Sequence, residues 1–244
     1  MAILDEAVSI SDLGQRNFWV LWGKSGSGKT KVGSTFPKPM LYLQMGDDGS
    51  NTIAQVDGID AIHVDTVAKL KSVLKELIKD KKYKSVFVDT FSMLTNMWTD
   101  ENVISKKKRM TQQAWGDLKI ETEECIRLLH KLARRHIVIA SCHEAMETID
   151  GMEDEIIPDA CPNVSKGART YLEGMANYGI HTTKITRTVE KGDEEVEEIK
   201  FAAHIGANPY YWTKFQVDSS VKLPAIMVNP TYSKIMKLIN GNKA

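Results

Sequence analysis

A chain of 244 residues is long enough to bury the core of one α/β domain. Its formal net charge is zero and charged residues make up 26% of it, which excludes a uniformly basic nucleic-acid-binding protein and leaves only a local patch for such contacts. The three cysteines, Cys125, Cys142 and Cys161, show no C-x-x-C spacing, which argues against a disulfide framework or a zinc site.

Strands and helices alternate along the first part of the chain. Apolar runs of strand length predict buried strands at residues 17–23, 40–44, 61–64, 85–90 and 136–144. Helices are predicted after the glycine-rich loop up to Pro37, at residues 66–79, from residue 90 to Lys108, and at residues 115–134. This alternation predicts an α/β fold with a mostly parallel sheet and helices on both of its faces.

Beyond residue 145 the pattern changes to hairpins. Residues 146–157 and 181–205 contain Asp-Gly and Lys-Gly-Asp turns between strand-like runs. Short helices are predicted at residues 168–176 and 232–238. Because no linker divides the chain, we predict one domain over residues 1–244, with a core of about 16–145 and a C-terminal hairpin extension of about 146–244 on the same sheet.

A complete phosphate-binding motif follows the first predicted strand. The sequence GKSGSGKT matches G-x-x-x-x-G-K-[ST] and precedes a predicted helix, which favours a P-loop over a glycine-rich surface turn. Its glycines let successive N–H groups point at phosphate oxygens. Lys29 is expected to reach the β- and γ-phosphates of ATP, and Thr30 to place its hydroxyl on Mg²⁺. The predicted nucleotide-binding residues are Gly23, Lys24, Ser25, Gly26, Ser27, Gly28, Lys29 and Thr30.

A second magnesium ligand is predicted at Asp89, where the apolar strand of residues 85–90 ends. The alternative is that Asp89 caps the following helix. Two predicted strands separate the P-loop from Asp89 in the chain. This leaves room in the sheet for a strand between the P-loop strand and the strand that ends at Asp89. RecA-like and AAA-type ATPases have that arrangement, whereas nucleotide kinases place the two strands side by side. Since Thr90 rather than Glu follows Asp89, a hydrolytic base must come from elsewhere.

Several segments together resemble the phage-encoded RecA-like P-loop ATPases, whose members include single-strand-annealing recombinases. The segments are GKSGSGKT, PKPMLYLQMGDDGSN, YKSVFVDTFS, QQAWGDLK and HIVIASCHE, and the resemblance runs from about Phe18 to Ile235. It implies a RecA-like core that hydrolyses ATP with Mg²⁺ and acts on single-stranded DNA in recombination or replication. It also implies a homo-oligomeric ring or filament, and a single-strand-binding protein as a further partner.

The resemblance also implies catalytic roles for particular residues. The acid that polarises the attacking water falls on Asp47 or Asp48, with Asp47 preferred, although an Asx turn is the alternative for this loop. His143 matches a sensor of the γ-phosphate or else is a histidine at the edge of the core. Lys214 matches a lysine that reaches the ATP of a neighbouring subunit or else is an ordinary lysine on a strand surface, and Gln216 replaces the second cation of that pair.

Two basic segments are candidates for binding DNA. The segment 158–169 falls where RecA-like proteins have a DNA-facing loop and carries Lys166 and Arg169. A run of four cations, flanked by Trp98 and Trp115, is the clearest basic patch. It consists of Lys106, Lys107, Lys108 and Arg109. A lone basic pair or a run of four cations is more often solvated surface than a DNA-binding track, and any DNA binding by these segments should depend on the phosphate backbone and on salt.

Two other functions compete with this hypothesis. One is a nucleotide-gated scaffold that hydrolyses ATP weakly, and the other is a small-molecule or nucleotide kinase, although no arginine-rich lid segment is evident. No apolar run approaches the ~18 residues of a membrane helix. The first ten residues also lack the pattern of a signal peptide, so we expect no membrane partner and a cytoplasmic location, in the host bacterium if the gene belongs to a phage.

Overall fold

A computed structural model describes residues 7, 16–46, 49–150, 156–191 and 194–241. The strands are β1 (Phe18–Gly23), β2 (Met40–Met45), β3 (Ile59–Val64), β4 (Ser85–Asp89), β5 (Ile137–Asp150), β6 (Ile156–Pro162), β7 (Tyr178–Lys191), β8 (Glu194–His204), β9 (Lys214–Phe215) and β10 (Ile226–Val228). The α-helices are α1 (Lys29–Gly33), α2 (Val67–Leu77), α3 (Met93–Thr99), α4 (Gln112–Leu132), α5 (Lys166–Met175) and α6 (Tyr232–Ile239). Together they give the mixed α/β fold with a mostly parallel sheet that the alternating pattern predicts.

The strands join in one sheet with the order β10-β8-β7-β1-β5-β4-β2-β3, and β6 and β9 pair with β5 and β7. The strands from β3 to β7 in that order run parallel. The β7–β8 and β8–β10 pairs are antiparallel. One strand, β5, therefore lies between the P-loop strand β1 and the Asp89 strand β4.

The spacing argument implied that the inserted strand is one of the two that precede Asp89 in the chain. The structure shows a different strand in that place. Strands β2 and β3 lie on the far side of β4, and the inserted strand β5 follows Asp89 in the sequence. The predicted insertion is present, but a strand that comes later in the chain fills it.

The sheet is covered on both faces, so strands β1 and β4 near its centre are buried throughout. Along β1 the side chains alternate: Val20 and Trp22 belong to one apolar cluster, and Trp19 and Leu21 belong to the other. Residues of α2, α4 and α5 pack in the first cluster, and residues of α1 and α6 pack in the second. This two-sided burial explains the continuous apolar runs that predicted the strands.

Several boundaries of helices and strands differ from the predictions. Helix α4 begins at Gln112, three residues earlier than predicted, because the Thr111 side chain accepts a hydrogen bond from the Ala114 N–H. The helical stretch after Asp89 ends at Ile104 in a π-helical turn, not at Lys108, and Lys107 has a φ of 49°. Strand β5 continues past Glu144 to Asp150, where it pairs with β6.

The described residues also bear on two predictions from composition. Cys125, Cys142 and Cys161 are free and buried. Burial raises the pKa of the Cys142 thiol to about 12. None of the helices in the described part of the chain is long and apolar enough to cross a membrane.

Candidate nucleotide-binding site

The glycine-rich loop occupies the turn between β1 and α1, and its backbone requires glycine at specific positions. Gly26 and Gly28 have φ values of 72° and 97°, in the left-handed region that favours glycine. A Cβ at Gly28 would lie 2.8 Å from the Phe201 ring, and one at Gly23 would collide with the Thr182 carbonyl. Residues of β7 and β8 thus pack closely against the loop on one side, and the Ser27 N–H donates to the Lys24 carbonyl within it.

Lys29 is folded across this loop. Its side chain is only 6% exposed, and its Nζ donates hydrogen bonds of 2.9 Å to the carbonyls of Gly23 and Lys24. Burial lowers the pKa of Lys29 below its ordinary value, while the charge of Asp89 opposes that shift. A partly desolvated ammonium group at this position interacts more strongly with phosphate than one in water would.

Asp89 lies beside Thr30, at the end of β4. Its Oδ2 accepts hydrogen bonds from Thr30 Oγ1 at 2.7 Å and from the Tyr42 hydroxyl at 3.0 Å, and its Oδ1 accepts one from Ser141 Oγ. The carboxylate is 3% exposed. The N-cap of the following helix α3 is Ser92, so Asp89 does not cap it.

The two residues fit a magnesium ion. Mg²⁺ prefers oxygen ligands and commonly takes one or two protein groups together with phosphate oxygens and water. The Thr30 hydroxyl and the Asp89 carboxylate supply two such oxygens within hydrogen-bonding distance of one another. They adjoin the loop whose N–H groups and lysine suit the phosphates of a nucleotide.

A cleft of about 340 Å³ lies over the loop. Its lining residues are Ser25, Gly26, Gly28, Lys29, Thr30, Lys31, Gly49, Thr52, Asp89, Thr90, His143 and Phe201. The loop after β2 reaches this cleft, because a Cβ at Gly49 would contact Thr30 Oγ1. Asp47 and Asp48, the predicted hydrolytic acids in that loop, lie outside the described residues.

His143 lies in β5, level with Gly23 of β1. Its main-chain N–H donates to Ser92 Oγ at 2.9 Å, and its side chain lines the cleft. Burial, with a smaller effect from the charge of Lys29, lowers the pKa of His143 below its ordinary value. The imidazole is therefore neutral at pH 7 and can donate or accept a hydrogen bond in the cleft.

Lys214 is not among the residues that line this cleft. It pairs with Gly179 of β7, which lies level with Val20 in the middle of β1. Its Nζ donates to the carbonyls of Glu173 and Gly174 at the end of α5, with distances of 2.9 Å. The structure therefore separates Lys214 from the P-loop.

The two basic segments also lie away from the cleft. Lys106, Lys108 and Arg109 line a separate groove of about 460 Å³ beside the start of α4. The predicted DNA-facing loop of residues 158–169 is wrong as a loop, because most of it is strand β6 and the first turn of α5. Lys166 and Arg169 both belong to α5, since the helix begins two residues before its predicted start.

Sequence reasoning missed four side chains that shape the site. Tyr42 and Ser141 hold the Asp89 carboxylate, Thr182 Oγ1 lies 2.7 Å from Ser27 Oγ, and Phe201 lines the cleft. A polar residue inside an apolar run is a signal that could have pointed to Ser141, whereas Thr182 lies among other polar residues. Phe201 carries no such signal, because it is an ordinary apolar residue of a predicted hairpin strand.

Comparison with known families agrees with this geometry. The family model described as an AAA domain matches residues 16–202, well over half of the chain. The chain belongs to the AAA domain family. AAA domains are P-loop ATPase domains, which indicates nucleotide binding in general. A search of curated proteins found no match to the chain.

Replacing Lys29 with alanine should abolish Mg-ATP binding in this AAA domain. The change removes the buried ammonium group at the phosphate position but removes no apolar side chain from the core. Calorimetric titration with Mg-ATP measures the effect, and circular dichroism tests whether the fold is kept. Lys75→Ala, on the exposed side of α2, is the matched control. Unchanged ATP affinity in a folded Lys29→Ala variant would contradict the assignment.

Replacing Asp89 with asparagine should reduce the gain in nucleotide affinity that Mg²⁺ provides. Loss of a group that merely orients a ligand costs about 10- to 100-fold in metal affinity, so loss of a ligand should cost at least about tenfold. Nucleotide titrations with Mg²⁺ and with EDTA measure this gain. Ser141→Ala is the control, since it removes a hydrogen-bond donor to Asp89 but keeps the charge. If Mg²⁺ raises nucleotide affinity equally in the wild type and Asp89→Asn, Asp89 only accepts hydrogen bonds within the fold and is not a magnesium ligand.

Proposed function

We propose that this AAA domain is a RecA-like ATPase of phage type. It binds and hydrolyses Mg-ATP as a homo-oligomer and acts on single-stranded DNA during recombination or replication in the host cytoplasm. The observation that carries the nucleotide part is the arrangement of Lys29, Thr30 and Asp89 around one cleft. The resemblance to phage recombinases supports the DNA part, with a single-strand-binding protein as a further partner.

The strand order favours this proposal over a nucleotide kinase. A kinase of the P-loop class places the P-loop strand beside the strand that carries the magnesium-binding acid. Here β5 lies between β1 and β4 and pairs with both in parallel register. The inserted strand also brings Ser141 to Asp89 and His143 to the cleft, which gives it a role in the site.

Hydrolysis needs an acid that orients water, and we assign it to Asp47 or Asp48, with Asp47 preferred. The support is that Gly49, at the end of the same loop, adjoins Thr30 and lines the cleft. Bound Mg²⁺ would supply Lewis-acid stabilisation of charge on the phosphate oxygens. Lys29 adds a fixed positive charge there, and the neutral His143 is placed to act as the sensor.

Asp47→Asn should slow ATP turnover while leaving Mg-ATP affinity nearly unchanged. A group that orients water matters chiefly in the transition state, whereas a magnesium ligand is needed in the ground state. Steady-state ATPase rates beside calorimetric affinities separate these effects, and Asp48→Asn is the matched control. If only Asp48→Asn is slow, the base is Asp48. Normal rates in both variants would remove the base from this loop.

An oligomer is proposed because Lys214 is displaced from its own subunit's P-loop. A lysine in β9 can reach nucleotide only in a neighbouring subunit, much as an arginine finger does. Mixing Lys214→Ala with Lys29→Ala subunits should restore ATP turnover that neither variant has alone, since each supplies what the other lacks. Lys222→Ala, which removes an exposed lysine of the C-terminal segment, serves as the control for Lys214→Ala. Lack of complementation in a mixture shown to oligomerise would remove Lys214 from the active site.

The DNA-binding surface is assigned to the run of residues 106–109 and the nearby Trp115. No ion pair joins these four cations to an acid within the part of the chain that the structure describes, although Asp117 lines the same groove. Trp115 is 53% exposed. A cationic turn beside an exposed indole ring suits single-stranded DNA, because the cations can contact its phosphates and the ring can stack on its bases.

Replacing Lys106, Lys107 and Lys108 together with alanine should weaken binding of single-stranded DNA and flatten its salt dependence. Three lost phosphate contacts reduce the slope of log K against log salt by about 2. Replacing the exposed lysines Lys79, Lys81 and Lys84 removes the same charge elsewhere and is the matched control. Equal loss in both triple variants would show that net charge, not this surface, determines binding.

A nucleotide-gated scaffold is the second candidate, and one contact favours it. Gln216, at the position of the second cation of the pair, accepts a hydrogen bond of 2.7 Å from Asn177 Nδ2 and is held within its own subunit. An ATPase assay with and without single-stranded DNA tests the main proposal against it. The recombination ATPase should be stimulated by DNA, whereas a scaffold or a kinase should not respond.

A further inference from the structure

The hairpin formed by β7 and β8 lies directly beside the P-loop. Strand β7 pairs with β1, and Phe201 of β8 is opposite Lys184 of β7. Thr182 Oγ1 lies 2.7 Å from Ser27 Oγ and donates to the Trp22 carbonyl at 3.1 Å. These contacts fix the position of the hairpin relative to the phosphate-binding loop.

Phe201 uses that position to form one wall of the cleft. Its ring is half-buried and lies 2.8 Å from where a Cβ of Gly28 would be. It is the only phenyl ring among the lining residues that the structure describes. The remaining lining is glycine, hydroxyl, charged or imidazole side chains, so Phe201 gives the cleft its one large apolar surface.

The sheet order separates this ring from the magnesium-binding end. Asp89 belongs to β4 and Phe201 to β8, and β1 with its P-loop lies between them in the sheet. Four strand spacings from β4 to β8 amount to about 19 Å. The terminal phosphates belong at the Lys29, Thr30 and Asp89 end, so the nucleoside extends toward β8.

Two cations flank the Phe201 ring. Lys31 Nζ lies 5.0 Å and Lys184 Nζ 5.8 Å from the ring centroid, within the range of cation–π contacts. Lys184 Nζ also lies 3.6 Å from where a Cβ of Gly26 would be. The ring therefore stands at the side of the P-loop where positive charge and an aromatic surface occur together.

We propose that Phe201 is the nucleoside-binding wall of this cleft, with its ring in contact with the nucleobase of the bound nucleotide. This inference rests on the proposed nucleotide binding and adds to it a residue from the C-terminal hairpin. The ligand is a nucleoside triphosphate, bound at its phosphates by the P-loop and at its base by Phe201. The competing explanation is that the ring only packs against Gly28 and supports the loop.

Inorganic triphosphate distinguishes the two explanations, because it has the phosphates of ATP without the nucleoside. We expect Phe201→Ala to weaken Mg-ATP affinity by about 5- to 150-fold, as for loss of base–aromatic stacking. The affinity for magnesium triphosphate should stay within about twofold of wild type. Phe201→Leu keeps an apolar side chain against Gly28 and should show the same selective loss, whereas Phe201→Trp should retain ATP affinity. Tyr210→Ala, an exposed ring away from the cleft, is the control.

Each other outcome overturns the proposal. Equal weakening of ATP and triphosphate would show that Phe201 only supports the P-loop, and unchanged ATP affinity in Phe201→Ala would show that the base lies elsewhere. Wild-type protein that binds neither ligand would overturn the nucleotide site itself. Calorimetry on the full chain, with circular dichroism of each variant, gives all of these readings.

Discussion

The carboxylate of Asp89 joins four separate elements of the sheet and its helices. It is carried by β4 and accepts hydrogen bonds from Thr30 of α1, Tyr42 of β2 and Ser141 of β5. A buried carboxylate without such donors would be strongly destabilising, because it has lost its contacts with water. The three hydroxyl groups compensate for that loss, and in doing so they fix Thr30 and the start of α1 against the edge of the sheet.

The same arrangement shows which parts of the site the sequence could reveal. Lys29, Thr30 and Asp89 were predictable because their spacing and position follow local rules, namely a glycine-rich turn and an acid at the end of an apolar strand. Tyr42 and Ser141 act through pairing between strands that are distant in the chain, and the sequence does not state which strands are neighbours. Phe201 is harder to predict than Tyr42 and Ser141, since its role depends on a hairpin that folds back beside β1.

Strand order illustrates the same limit. Two strands were expected between the P-loop and Asp89, and the structure has them, yet neither lies between β1 and β4 in space. The chain passes from β1 beyond β4 to β2 and β3 and returns to β5 only after α4. The predicted helix boundaries lie within a few residues of the observed ones, because the caps that set them are local in the chain. The Thr66 and Thr111 side chains each accept a hydrogen bond from an N–H three residues later.

Strand β7 connects the two features of the C-terminal half that bear on nucleotide chemistry. Near its start it pairs with β9 and so carries Lys214 at Gly179, and further along Thr182 contacts the P-loop at Ser27. Both contacts lie on one strand that is hydrogen-bonded to β1 from Trp19 to Trp22. Lys214 is therefore held on the same continuous sheet as the P-loop rather than on a loose tail. Its Nζ donates to the carbonyls of Glu173 and Gly174, so helix α5 of the same chain fixes the position of its charge.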